Sequence, residues 1–299
     1  MSILVVGSIA LDTVETRRGK VTDSPGGSAL YFSAAASFFV PVNIVGVVGE
    51  DFDFSEIAFL EKKKVDMSGL QVEKGETFRW GGRYHDDMNY RDTLFTYLNV
   101  FETFHPVIPP AYRKSEFVFL ANIDPALQLE VLSHMASPTL TVLDTMNFWI
   151  SGKREELDEV IRKVDILILN DEELRELTGS PNLTAASSTL LKDGLKGLVI
   201  KKGEHGALLI TADDYFATPA FPVTEVVDPT GAGDTFAGGF VGYLASCKRL
   251  TKNSFRRAVA YGSAIASFNV ESFSYNRLKE IEMEDIENRL LLFRQMTRF

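Results

Sequence analysis

Six short apolar runs recur along this chain: "ILVVGSIAL", "VNIVGVVG", "EFVFLAN", "TLTVLD", "DILILN" and "GLVIKKG". None alternates apolar with polar residues, so each suits a strand buried on both faces of a parallel sheet. Between them lie segments with helical periodicity, "PALQLEVLSHM", "KREELDEVIRKV" and "EELRELTG", the last stopping at a glycine where a helix end is expected. Strands alternating with helices imply right-handed βαβ units. The predicted fold class is α/β, a doubly wound and mostly parallel sheet whose ligands bind at the carboxyl ends of its strands. No repeat, low-complexity segment or linker interrupts the pattern, so residues 1–299 read as one domain.

Residues 70–104 break this rhythm. The stretch "FRWGGRYHDDMNYRDTLFTY" is rich in aromatics and Thr and is cut by Gly81-Gly82 and by His85 to Asn89, which predicts antiparallel strands joined by turns. With the loop of residues 12–24 beside it, it is expected to form a small β lid. Arg79, Arg83, Arg91 and His85 give that lid a polar side. Phe78, Trp80 and Phe95 give it an apolar one on which a homodimer could form.

Acidic residues outnumber basic ones by 41 to 31, for a formal net charge of −10, and the longest basic run is Lys62 to Lys64. That balance repels phosphate backbones and anionic lipid, which argues against nucleic acid and membrane surfaces as partners. The single Cys247 cannot close an internal disulfide, the start "MSILVVGSIALD" lacks a basic leader, and no apolar run approaches ~20 residues. A cytoplasmic location is the expectation.

The stretch "DPTGAGDTFAGGF", Asp228 to Phe240, concentrates glycine just ahead of a helical pattern. Asp228-Pro229-Thr230-Gly231 has the composition of a type I turn, and read alone it is a turn leading to a helix capped near Asp234. The residues that follow suggest more. Gly231-Ala232-Gly233 strips side chains from a helix start, so its free N–H groups and the positive end of the helix dipole would face an anion. Asp234 then sets a carboxylate beside a place built for negative charge. Phosphoryl transfer needs both: donors for the migrating group, and a base for the attacking hydroxyl.

"DPTGAGD" resembles the second signature of the ribokinase-like, or PfkB, family of carbohydrate and nucleoside kinases. No GxxxxGK[ST] or GxGxxG competes with it. The resemblance spans nearly the whole chain. "PGGSALYFSAAA" resembles the family's di-glycine signature, and "VGVVGEDFDF" its VGxVGxDxxG segment with Phe54 at the last glycine.

It implies an ATP-dependent, Mg2+-requiring kinase acting on a hydroxyl of a sugar, cyclitol or nucleoside. Gly231, Ala232 and Gly233 would form the anion hole and Asp234 would be the catalytic base. "LNDEEL" resembles the family's NxxE motif, so Asn170 and Glu173 would hold hydrated Mg2+; alone they read as a helix N-cap with an acidic first turn. "VIKKGEHGALLI" resembles a wall of the nucleotide site, placing Lys201, Gly203 and Gly206 there with Thr230, though a plain hairpin explains its glycines too. A monovalent cation, K+ in the family, would lie near Asp228 and Thr230. On the acceptor side the resemblance points to Asp12, Gly26 and Gly27, with Tyr31 where an Asn is common, and strand ends add Asn122 and Asp144. A catalytically silent nucleotide-binding regulator of the same fold is the alternative.

Overall fold

The computed structural model describes residues 1–297. Strand β1 (Ile3–Val6) is followed by a hairpin of β2 (Ala10–Thr16) and β3 (Gly19–Gly26), then by β4 (Val42–Gly49) and β5 (Val65–Glu73). A second hairpin, β6 (Phe78–Tyr84) and β7 (Arg91–Tyr97), precedes the run β8 (Phe117–Leu120), β9 (Leu140–Asp144), β10 (Ile166–Asn170) and β11 (Gly197–Lys201). Antiparallel β12 (Ala207–Thr211) and β13 (Tyr215–Thr218) close the sheet.

The large sheet has the order β13-β12-β11-β10-β9-β8-β1-β4-β5. The chain winds one way from β1 through β4 to β5, then returns to β8 on the other side of β1 and winds outward to β11. That reversal opens a crevice at the carboxyl ends of the central strands. All six apolar runs are strands of this sheet, each paired in parallel with a neighbour.

Their lack of polar alternation has a direct cause. Ile3 and Val5 of β1 point into one core with Phe117 and Phe119, whereas Leu4 and Val6 point into the other with Val118 and Leu120. Helices Ser28–Ala36, Ala232–Ser246 and Lys252–Asn269 cover the first core; Pro125–His134, Arg154–Ile161 and Asp171–Thr178 cover the second. Gly179 ends the last of these in the left-handed region at φ 67°, as "ELTG" predicted.

The small sheet has the order β3-β2-β6-β7 and grows directly from the carboxyl end of β1. Three details differ from the sequence reading. Residues 12–24 are a strand hairpin rather than a loop. β2 pairs with β6 in parallel, because the two hairpins are separated in the chain by β4 and β5. Leu70 to Glu73 belong to β5 of the large sheet, where Leu70 pairs with Gly46, so the second hairpin of the small sheet begins at Phe78.

The glycines after Asp234 have a packing role. A Cβ on Gly238 would strike the Phe32 carbonyl, one on Gly242 would lie 2.9 Å from Ala36 Cα, and one on Gly239 would lie 3.0 Å from Gly262 Cα. Helix Ala232–Ser246 is thereby pressed backbone to backbone against both helices beside it. Gly238→Ala should force these helices apart at a cost of about 1–3 kcal/mol. Thermal denaturation should show a Tm lower by several degrees.

Candidate active site

Helix Ala232–Ser246 begins at the crevice. Its N-cap is Gly231, left-handed at φ 73°, and no side chain caps it. Thr235 N–H donates to the Gly231 carbonyl at 2.8 Å and Ala232 N–H to the Pro229 carbonyl at 3.1 Å. The bonded turn is therefore Pro229–Ala232, one residue later than the DPTG turn expected. Ala232 spends its donor inside that turn and has none free for an anion, whereas Gly233 and Asp234 donate to no backbone carbonyl among the described residues. Asp234 is the third residue of the helix, not its cap.

Buried groups hold this loop in place. Asp228 accepts from Thr230 N–H at 2.9 Å and from Ser274 N–H at 3.3 Å, so both carboxylate oxygens clamp backbone. Asn269 donates to the Thr230 carbonyl at 2.8 Å and accepts from Thr235 Oγ1 at 3.2 Å. Thr230 Oγ1 donates to Tyr84 Oη at 3.2 Å, which ties the loop to the small sheet. Tyr31 lies in the core with its ring against Gly231, where any side chain would collide with it. It supports the Asp228–Gly231 loop by packing against Gly231.

Asp12 enters from β2 and is 5% exposed. Gly26 leaves room for its carboxylate, and Gly27 lets the chain pass within contact of the Ser8 carbonyl. Burial, with the charge of Asp228 second, pushes Asp12 up to about 8. Asp144 ends β9 and meets Lys201, from the end of β11, at 3.3 Å. Burial disfavours the Lys201 ammonium, but Asp144, Glu173 and Asp234 together hold it protonated. Asp234 is raised to about 7, by burial first and the Asp144 charge second, with Lys201 opposing. Asn122, also at a strand end, is engaged otherwise: Trp149 Nε1 donates to its Oδ1 at 2.8 Å and its Nδ2 faces Met146 Sδ at 3.0 Å.

At the end of β10, Asn170 Oδ1 accepts from Glu173 N–H and Glu173 Oε2 accepts from Asn170 N–H, both at 2.7 Å. This is a complete capping box. Glu173 Oε1 has no hydrogen-bond partner among the described residues, and burial lifts the carboxyl to about 7. One free carboxylate oxygen beside a second oxygen ligand type fits a hydrated Mg2+, which takes few direct protein ligands.

Lys201, Gly203, Gly206 and Gly233 line a cavity of about 540 Å3. Its far wall is apolar, with Phe221, Val223 and Ala266. Sequence reading missed that wall, because "AFPVTEVV" carries no motif. It also missed Asn269, whose only signal is a buried amide at the end of an apolar helix. The β6–β7 turn contributes Asp87, Met88 and Asn89 to the same cavity, and Asn89 Nδ2 donates to Glu204 Oε1 at 3.2 Å.

A doubly wound sheet, a glycine-started helix at its crevice, a buried carboxylate in that helix's first turn and a cavity beside it are the setting of a small-molecule kinase. The chain belongs to the pfkB family of carbohydrate kinases, which it matches over residues 2–280. It is 30% identical to a cytidine kinase of Thermococcus kodakarensis over 262 residues, 84% of this chain and 93% of that one. A nucleoside kinase of Methanocaldococcus jannaschii is 26% identical over 83% of this chain and 82% of its own. Among solved structures, the nucleoside kinase of M. jannaschii superposes with a TM-score of 0.79 at 22% identity, covering 97% of this chain and 98% of that one. A ribokinase II structure from E. coli that holds ATP and Mg2+ superposes at 0.81 and 20% identity, covering 97% and 99%. These comparisons lend no support to a catalytically silent regulator. No helix among the described residues is long and apolar enough to cross a membrane.

The Asp12 carboxyl ionises near 8 in the fold and at its ordinary 3.8 when unfolded, so the folded state binds its proton more tightly. Stability from this source is complete below 3.8 and is lost as pH rises toward 8. Asp12→Asn removes the loss. Its Tm should match the wild type in acid and exceed it by several degrees near pH 8, as scanning calorimetry across pH would show.

Proposed function

We propose that this kinase transfers the γ-phosphoryl group of ATP to a hydroxyl of a nucleoside, with Asp12 accepting from the sugar and the small sheet covering the base as a lid. One observation carries the reading: Asp12 and Trp80 are register partners on adjacent strands, as are Val14 and Gly82, so carboxylate and indole share a face. Val14, Tyr84, Met88 and Trp80 form an apolar cluster there, and the Arg91 guanidinium lies 5.5 Å from the Trp80 ring. A hydroxyl acceptor beside an aromatic wall suits a ribose joined to a planar base. The relatives' names, cytidine kinase and nucleoside kinase, support the same class.

The lid's other arginines have acidic partners. Arg79 pairs with Asp51, Asp23 and Glu76, and Arg83 with Glu15. That argues for an acceptor without a phosphate of its own.

In the reaction, Asp234 takes the proton from the attacking hydroxyl. The Gly233 N–H and the helix dipole stabilise the charge of the migrating phosphoryl group. Asn170 and Glu173 would hold Mg2+ through its waters, and the metal would neutralise the donor's phosphate oxygens. The apolar wall at Phe221 receives the adenine. The lid excludes water from the acceptor, and the contact of Asn89 with Glu204 joins its tip to the nucleotide loop.

ATP consumption against a panel of nucleosides, free pentoses and cyclitols tests the substrate class. Nucleosides should be phosphorylated with the highest kcat/KM, and preference for a free sugar would overturn the reading. Asp234→Asn should lower kcat by ~10²–10⁴ with nucleotide affinity kept. A base must be ionised to accept a proton, so wild-type kcat/KM should fall as pH drops through about 7, where burial has placed Asp234. A limb in the ordinary carboxylate range would contradict that role.

Glu173→Gln preserves the capping box, since Gln serves there as well as Glu. It should not lower Tm, and it should raise the Mg2+ concentration for half-maximal activity by ~10–100-fold. An unaltered Mg2+ titration would assign Glu173 to the helix cap alone.

A further inference from the structure

Lys201 carries more of the site than its place on the nucleotide wall requires. Its Nζ lies 3.0 Å from where a Cβ on Gly233 would stand. The ammonium therefore sits over the backbone whose N–H opens into the cleft. A charged side chain and a helix N-terminus converge on one small volume inside the nucleotide cavity.

The ion pair with Asp144 leaves that cation underused. An ammonium has three donors, and Lys201 makes one hydrogen bond among the described residues, to Asp144 Oδ1 at 3.3 Å. Its side chain is 19% exposed against 6% for Asp144. Asp144 is enclosed and also accepts from Thr145 N–H at 3.1 Å. The pair is thus asymmetric, with the carboxylate locked in the protein and the cation open to the cleft. Gly233 has a reason of its own in this arrangement, since a side chain there would displace Lys201.

We infer that Lys201 donates to the transferring γ-phosphoryl group, completing with the Gly233 N–H the site that stabilises its charge, and that Asp144 positions Lys201 rather than binding the acceptor. The inference rests on the kinase reading above. In the transfer, the acceptor oxygen forms its bond to phosphorus while the bond from phosphorus to the β,γ-bridging oxygen breaks. That electron pair leaves with ADP, and the hydroxyl proton goes to Asp234. Lys201 stays protonated throughout and offsets charge on the equatorial oxygens.

The test compares wild type, Lys201→Met, Lys201→Arg and the double variant Lys201→Met/Asp144→Asn, using steady-state kinetics, ADP calorimetry and thermal denaturation. Lys201→Met should lower kcat ~10²–10³-fold, with acceptor KM and ADP affinity near wild type because ADP lacks the group contacted. Lys201→Arg should recover part of kcat. The single Met variant strands a buried carboxylate and should lose stability. The double variant should regain that stability and stay slow.

Recovery of kcat in the double variant would reduce Lys201 to a neutraliser of Asp144 and overturn the inference. So would an ADP affinity that falls as far as kcat does. Wild-type transfer with an unimpaired Lys201→Met removes the inference alone. A wild type that binds ADP but phosphorylates no acceptor removes the kinase reading and this inference with it.

Discussion

The chemistry of this molecule depends on how closely helix Ala232–Ser246 approaches its neighbours. Gly238 and Gly242 admit helix Ser28–Ala36, and Gly239 admits helix Lys252–Asn269, at separations that a single methyl group would obstruct. Dispersion and burial over such contacts hold the helix as one rigid unit. Its first turn is consequently fixed at the carboxyl end of the central strands, where Asp228, Asn269 and Tyr31 secure the preceding loop. Anion binding by backbone N–H groups needs that rigidity, because a donor that must reorganise during reaction stabilises little charge.

Around this helix start the protein gathers Asp12, Asp144, Glu173, Asp228 and Asp234, and burial raises all five from their ordinary values. Such an array works against folding. Lys201 relieves part of it by facing Asp144, Glu173 and Asp234 together. The same crowding suits function, since a base near neutrality is a better proton acceptor than an ordinary carboxylate. Fold stability and site reactivity are in tension at the same residues.

The small sheet joins the two halves of the site. Its inner face brings Asp12 and Trp80 over the acceptor side, Tyr84 reaches the anion loop through Thr230, and the β6–β7 turn reaches the nucleotide cavity. Its parallel β2–β6 pairing gives that reach, because it lays a hairpin born in the first βα unit beside one inserted after β5.

Much of this was legible in the residues. Unalternated apolar runs specified two-sided strands because period-two burial on both faces leaves no position for a polar residue, and all six runs are strands of the large sheet. "DPTGAGD" marked a helix start, where Gly231 is the left-handed N-cap, because glycine there has local backbone consequences. Local chemistry could not show what distant segments bring together. The bonded turn lies at Pro229–Ala232, and the Asp228 carboxylate before it is held by Ser274, 46 residues away. Tyr31 went beneath the loop and Asn122 to Trp149 because packing, not motif position, decides which side of a strand end is open. Lys201 and Gly233 stand 32 positions apart in the chain and meet only because β11 ends and the glycine helix begins at the same crevice. The sequence by itself determined the strands of the large sheet and the glycine-rich start of helix Ala232–Ser246, through short-range backbone geometry. Only the tertiary structure decided which charges face one another, because Coulomb energy depends on distance in space and on burial, and neither is written along the chain.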